Sequence, residues 1–339
     1  MLDSIASPTL WGVTIAAVVA LLVIDFVATR KPHEVSMREA VAWSTFYVAL
    51  PLMFGLYVWN THGDQRGLED YTGYLVEKTL SVDNLFVFML LLTAFAVPKA
   101  LQQRVLLYGI VGALVLRGIF IALGAAALDR FDWVFLVFGA VLLLTGLKLL
   151  RGAMSGDDHA VDVNEMRIVR LTRRVMPVTD EYHGTRLVIR RDGRRWLTPL
   201  ALVVIAVFAT DVVFAVDSVP AVYGITGDPY LVFATNAFAL LGLRALYFVL
   251  QGALDKLVHL SYGLAAILGF IGVKLVLHWA HEVWPPVPSV PTLASLGVIL
   301  AILATTITTG LIASRRTQSA DEDSDTRPTN QSDPLETAV

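Results

Sequence analysis

Two segments of this chain repeat one order of polar side chains inside otherwise apolar sequence. The first runs from Glu77 to Asp83 and Asn84, the second from Asp211 to Asp217 and Ser218. Each reads carboxylate, five residues, aspartate, small polar side chain. A carboxylate at the centre of a membrane helix costs roughly 3 kcal/mol on insertion scales. Four of them raise that to about 10 kcal/mol or more unless something binds there. Folding alone does not require that cost, so the pattern points to an intramembrane cation site. The oxygens on offer are carboxylate, amide and hydroxyl, which suit hard divalent cations such as Mn²⁺, Ca²⁺ or Mg²⁺. Neither segment contains Cys or His, which argues against Zn²⁺ and Cu⁺. Protonatable carboxylates also permit exchange of a metal against protons.

Helical geometry decides which of these side chains can act together. Six residues advance a helix by about 9 Å and turn it by roughly 120° from the starting direction, so Glu77 and Asp83 cannot grip one ion on an intact helix. Glu77 and Asn84 do share a face, as do Asp211 and Ser218. The expected arrangement is therefore a crossing of the two segments, each giving an aspartate and its polar neighbour to a shared site. Pro220 cannot donate to the carbonyl of Val216, and that freed oxygen beside Asp217 is a candidate further ligand.

The supporting elements follow from composition. The 339 residues are 56% hydrophobic and 16% charged, well below the roughly 25% charge of a soluble protein. The fold class expected is all-α, a polytopic membrane protein. Nine apolar stretches approach the ~20 residues a bilayer needs: 9–28, 40–60, 73–97, 105–128, 133–150, 198–222, 230–250, 257–279 and 292–313. The N-terminal segment lacks a basic region, so the first stretch reads as a retained helix rather than a cleaved signal peptide. Without cysteine, disulfides and thiolate chemistry are excluded.

Basic residues set the expected orientation. The loop 151–197 holds ten arginines and is placed in the cytoplasm. Counting outward puts the N-terminus outside and the C-terminus inside, and external loops then carry only Arg66 and Arg130. The expected location is the cell membrane, with the lipid bilayer as a partner and no nucleic acid. The tryptophans fall near predicted helix ends, as an interfacial belt requires.

The acidic segments open a longer repeat. Leu116-Arg117-Gly118 matches Leu243-Arg244-Ala245, and Gly146-Leu147-Lys148 matches Gly272-Val273-Lys274. Each copy covers three stretches. Three is odd, so the second copy enters the membrane in the opposite sense, an inverted repeat of the kind common in secondary transporters. The organisation expected is 1–72 with two N-terminal spans, 73–151 and 198–279 as the repeats, 152–197 as an Arg-rich cytoplasmic loop, 292–313 as a last span and 314–339 as a disordered tail. The first, second and ninth spans are expected at the periphery. The loop reads as solvated, with a hairpin at Asp192-Gly193 and arginines that could touch anionic headgroups.

The bland reading of the acids is charge neutralisation by Lys78, Arg117 and Arg244. Those two arginines read as structural counter-charges rather than substrate contacts. Lys148 and Lys274 read as snorkelling. Asp25 and Asn236 are candidates to line an ion path. His278, His281 and Glu282 have metal-compatible spacing but read as a polar interfacial cluster.

At these residues the chain resembles the TerC integral membrane family, in segments 77–88, 210–222 and 236–248 and overall from about residue 10 to 312. That family is named for tellurium resistance, is implicated in manganese efflux and in supplying metal to exported enzymes, and is similar in repeat logic to cation exchangers and the lysine-exporter superfamily. The resemblance implies manganese export, with metal at Asp83, Asn84, Asp217 and Ser218 and with Glu77 and Asp211 nearby. Some members have another acid one turn before the Asp211 position, where this chain has Phe208.

Three functions compete. The first is export of Mn²⁺ or a related divalent ion by alternating access, with no permanently bound cofactor. The second is export of a small organic solute, which would turn Arg117 and Arg244 toward the pore. The third is a non-transporting membrane component that docks cytoplasmic stress-response proteins through the Arg-rich loop. An enzyme is not expected, because no nucleophile motif, metalloprotease motif or phosphate loop is present.

Overall fold

The computed structural model describes residues 4–28, 35–155, 166–191, 193–250 and 259–325. In chain order the elements are α1 (Pro8–Ala28), α2 (Met37–His62), α3 (Asp64–Ala94), α4 (Lys99–Leu128), α5 (Trp133–Ser155), α6 (Arg167–Val175), β1 (Val188–Arg191), β2 (Arg194–Leu197), α7 (Pro199–Tyr223), α8 (Pro229–Leu241), α9 (Leu243–Leu250), α10 (Leu260–Val283) and α11 (Thr292–Asp325). Helices dominate because a bilayer offers backbone groups no partner, and a helix satisfies them internally. Local signals fix where the site-bearing helices start. Thr198 caps α7 by accepting from the Ala201 amide, with Pro199 at the first helical position. Asp228 caps α8 through the Tyr230 amide, ahead of Pro229.

Seven of the described helices are long and apolar enough to cross a membrane, and the bent pair α8–α9 makes eight. The protein is thus an all-α polytopic membrane protein. The expectation of nine apolar spans is not met on that criterion, and α3 is the reason. It is 31 residues long, but Glu69, Asp70, Glu77, Lys78 and Asp83 all lie within it. The stretch 230–250 is also not one straight helix. It breaks at Gly242 with a 44° bend, at a glycine of the kind that marks helix ends.

The helices pack in pairs whose directions can be read from their contacts. On α5 and α10, a Cβ at Gly139 would meet the carbonyl of Gly272 at 2.9 Å, and one at Gly146 would meet the carbonyl of Ala265 at 3.0 Å. Rising numbers on α5 meet falling numbers on α10, so the two run antiparallel, with backbones brought together by small residues. Antiparallel order also holds for α3 and α7, where Gly73 faces Val222 and Asp83 shares a cavity with Asp217. It holds again for α4 against α8–α9, where Arg117 reaches Asn236 and Arg244 reaches Gln103. In contrast, α4 and α7 run parallel, with Gly109 against Val207 and Gly124 against Tyr223.

The segment between α5 and α7 differs from a solvated loop. Val169 of α6 is 1% exposed and joins a core cluster with Leu101, Leu200 and Val203. Tyr182 donates to the carbonyl of Phe95 at 2.7 Å. β1 and β2 form the expected antiparallel hairpin, with Gly193 at φ +74°, the left-handed turn conformation glycine favours. Residues 156–165 and Asp192 lie outside the described set. α11 continues to Asp325, through the first residues of the segment 314–339 expected as a disordered tail. No Gly or Pro interrupts 314–325, so nothing local ends the helix there. Residues 326–339, the rest of that expected tail, lie outside the described set.

Candidate functional site

The two acidic segments meet. A cavity of about 60 Å³ is lined by Asp83 and Asn84 of α3 and by Asp217 and Ser218 of α7, with Thr145 of α5 and the side chains of Leu80, Leu149, Phe214, Leu264 and Leu268. A space of this size is large enough for one ion together with water. Asp83 and Asp217 are half-buried, while Asn84 and Ser218 are buried. Thr145 Oγ1 donates to Asp217 Oδ1 at 2.8 Å. Ser218 Oγ is buried with no hydrogen-bond partner among the described residues, so it keeps its lone pairs available. Lys148, one turn beyond Thr145, is within electrostatic reach of Asp217.

Thr145 was not foreseen. Its repeat-equivalent position is Ile271, so the repeat gave no signal. The available clue was weaker: Thr145 is the single hydroxyl in the apolar run 134–147.

Glu77 and Asp211 do not line this cavity. They form a second, buried cluster around Arg117, in which Arg117, Glu77 and Asp211 have side chains 1%, 0% and 1% exposed. Arg117 Nη1 pairs with Glu77 Oε1 and donates to Asn236 Oδ1 at 2.8 Å. Its Nη2 lies 3.8 Å from Asp211 Oδ1, and neither Asp211 oxygen has a hydrogen-bond partner among the described residues. With the Asn84 amide oriented to donate to the Leu80 carbonyl, its oxygen accepts from Arg117 Nη2 at 3.2 Å. Asn84 therefore belongs to both clusters. The same-face relation of Glu77 and Asn84 is realised, but it serves Arg117. Asn236 is likewise held by Arg117 and by the Val232 carbonyl and does not line the cavity.

The repeat-related arginine has a different partner. Arg244 binds Asp25 of α1 through both Nε (3.0 Å) and Nη2 (2.5 Å), and its Nη1 donates to Gln103 of α4 at 3.0 Å. Neither Asp211 nor Asp217 is neutralised by it, and Asp25 is held in this pair away from the cavity. The peripheral helix α1 thus supplies a buried charge to the interior. Lys78 makes no ion pair among the described residues. It follows Glu77 by one residue, about 100° around the helix, and its Nζ lies beside Gly242, at the break between α8 and α9.

The expected contribution of the Val216 carbonyl is not found. α7 runs unbroken through Pro220, and neither Pro220 nor Val216 lines the cavity. Val216 is instead 41% exposed on the other side of the helix. The 278–282 cluster is polar but not gathered on one point: His278 packs edge-on to Phe135 at 4.7 Å, and His281 Nδ1 lies 2.5 Å from the Val287 carbonyl. Among the described residues no group of three or more His, Cys, Asp or Glu side chains could hold a metal ion. An ion in the cavity would rest on two carboxylates completed by amide and hydroxyl oxygens.

The model for the integral membrane protein TerC family matches residues 62–318. The chain belongs to that family. It is 44% identical over 275 residues to an uncharacterized membrane protein of Myxococcus xanthus, covering 81% of this chain and 85% of the relative. An uncharacterized membrane protein of Mycobacterium tuberculosis is 45% identical over 278 residues, covering 82% and 70%. Alx of Escherichia coli, provisionally named a membrane-bound redox modulator, is 42% identical over 286 residues, covering 81% and 88%. No solved structure matches the chain. The match covers the polar residues of the cavity and of the Arg117 cluster, so both lie within the TerC region, while Asp25 of the Arg244 pair falls before it.

Proposed function

We propose that this TerC protein exports a divalent cation, with Mn²⁺ as its cargo, by alternating access between two inverted three-helix repeats. The observation that carries the proposal is the cavity where Asp83 and Asn84 meet Asp217 and Ser218. Two carboxylates, an amide and two hydroxyls are hard oxygen donors of the kind Mn²⁺ accepts. The antiparallel order of α3 with α7, α4 with α8–α9 and α5 with α10 supports the inverted repeat. In that reading α3, despite its charges, crosses the membrane as a ninth span. Sites in such transporters lie at the repeat interface, and a cavity lined from both α3 and α7 supports that reading. The positive-inside distribution of Lys and Arg supports an external N-terminus and a cytoplasmic C-terminus.

The organic-solute reading loses its main support, because Arg117 and Arg244 are both engaged with protein carboxylates. Redox chemistry through thiols is closed to a chain without cysteine.

The test is cell manganese under manganese load, in cells lacking the protein and complemented with wild type or with Asp83→Asn/Asp217→Asn. Export predicts that wild type lowers cell manganese and the double variant does not. No change with wild type removes the proposal.

A further inference from the structure

The helix α6 joins the segment between α5 and α7, two membrane-length helices, so it is tethered near a membrane face. Its inner side is fixed by Val169, buried in the core cluster. Its outer side has an unusual composition. Arg167, Leu171 and Val175 follow one another at four-residue spacing, with Arg170 and Arg174 beside them. Leu171 is 55% exposed and Val175 74% exposed. Arg167, Arg170, Leu171 and Arg174 together border an open hollow of about 260 Å³.

Each half of this surface needs explaining. Guanidinium groups bind phosphate oxygens through paired N–H donors and carry a permanent charge. Two exposed aliphatic side chains among them gain nothing from a purely ionic ligand in water. A phospholipid satisfies both, with its phosphate among the arginines and its acyl chains against Leu171 and Val175, as interfacial amphipathic helices bind. Juxtamembrane arginine clusters gain about 1 kcal/mol per residue near an anionic leaflet.

We propose that the Arg167–Arg170–Leu171–Arg174 hollow binds the headgroup of an anionic phospholipid. This rests on the membrane-surface placement of α6 and on the orientation proposed above, but not on the identity of the transported ion.

The test uses the full chain purified in detergent and titrated with short-chain phosphatidylglycerol or phosphatidylcholine, with bound lipid counted by native mass spectrometry. Wild type should prefer phosphatidylglycerol by fivefold or more, and inorganic phosphate should not displace it. Arg167→Gln/Arg170→Gln/Arg174→Gln should lose that preference. Arg190→Gln/Arg191→Gln/Arg194→Gln, an equal charge loss in the hairpin, should keep it. Leu171→Ser/Val175→Ser should weaken binding of both lipids with all arginines in place. Equal loss in the hairpin variant would mean general charge attraction and would overturn the proposal, as would full displacement by phosphate. A lack of lipid preference alongside normal Mn²⁺ flux would remove this inference and leave the transport reading standing.

Discussion

Thr145 Oγ1 of α5 donates a 2.8 Å hydrogen bond to Asp217 Oδ1 of α7, fixing one carboxylate of the cavity from a helix outside the two acidic segments. A hydrogen bond to a charged group contributes about 1.5–3 kcal/mol. The near-isosteric Thr145→Val should therefore lower Mn²⁺ transport efficiency roughly tenfold, read from the concentration dependence of flux. Unchanged flux would detach α5 from the site.

Ser218 offers a separation of stability from function. Its hydroxyl is buried without a hydrogen-bond partner among the described residues, a state that costs free energy in the folded protein. Ser218→Ala should leave the melting temperature unchanged or slightly raised while weakening transport. A clear fall in melting temperature would show that the hydroxyl serves the fold.

Arg117 is expected to behave in the opposite way. Among the described residues it is the one cation in contact with both Glu77 and Asp211, and removing one partner of a buried ion pair costs about 3–5 kcal/mol. Arg117→Gln should sharply lower thermal stability in detergent. Adding Glu77→Gln should recover much of it, because the uncompensated charge is then gone. Stability lost equally in the single and double variants would refute the pairing.

The Asp25–Arg244 pair can be measured by a double-mutant cycle with Asp25→Asn and Arg244→Gln. Residues in direct contact couple by about 0.5–3 kcal/mol, and a two-point buried contact belongs at the upper end. Additive effects would mean that α1 is not latched to α9.

The close approach of α5 and α10 predicts that Gly272→Val is destabilising. Its Cβ would lie 2.9 Å from Leu143 Cγ and 3.0 Å from the Gly139 carbonyl, and overpacking costs about 1–3 kcal/mol. Gly269→Ala, on the same helix with open space at its Cβ, is the control and should be neutral in a thermal melt.

Much of this arrangement was legible because it rests on period and burial. Charges inside apolar runs marked α3 and α7, and the seven-residue spacing of Glu77 and Asn84 placed both on one face. What spacing could not reveal was which partner each face meets. Arg117 reads from sequence as a counter-charge, but spacing does not say that, coming from α4, it takes Glu77 and Asp211 rather than the aspartates of the cavity. The same gap hid the Asp25–Arg244 pair, 219 residues apart. Pro220 marks a freed Val216 carbonyl, but sequence does not say which way Val216 faces, and it lies away from the cavity. The arginine-rich loop looked solvated by composition, and only the burial of Val169 and the Tyr182 bond show that it is packed.

The most direct test of the central claim is Mn²⁺ flux in proteoliposomes holding the purified protein and a trapped Mn²⁺-sensitive dye. Wild type should carry saturable Mn²⁺ flux, and Asp83→Asn/Asp217→Asn should abolish it while inserting and melting like wild type. Saturable flux that survives in the double variant would contradict a transport site at the meeting of α3 and α7.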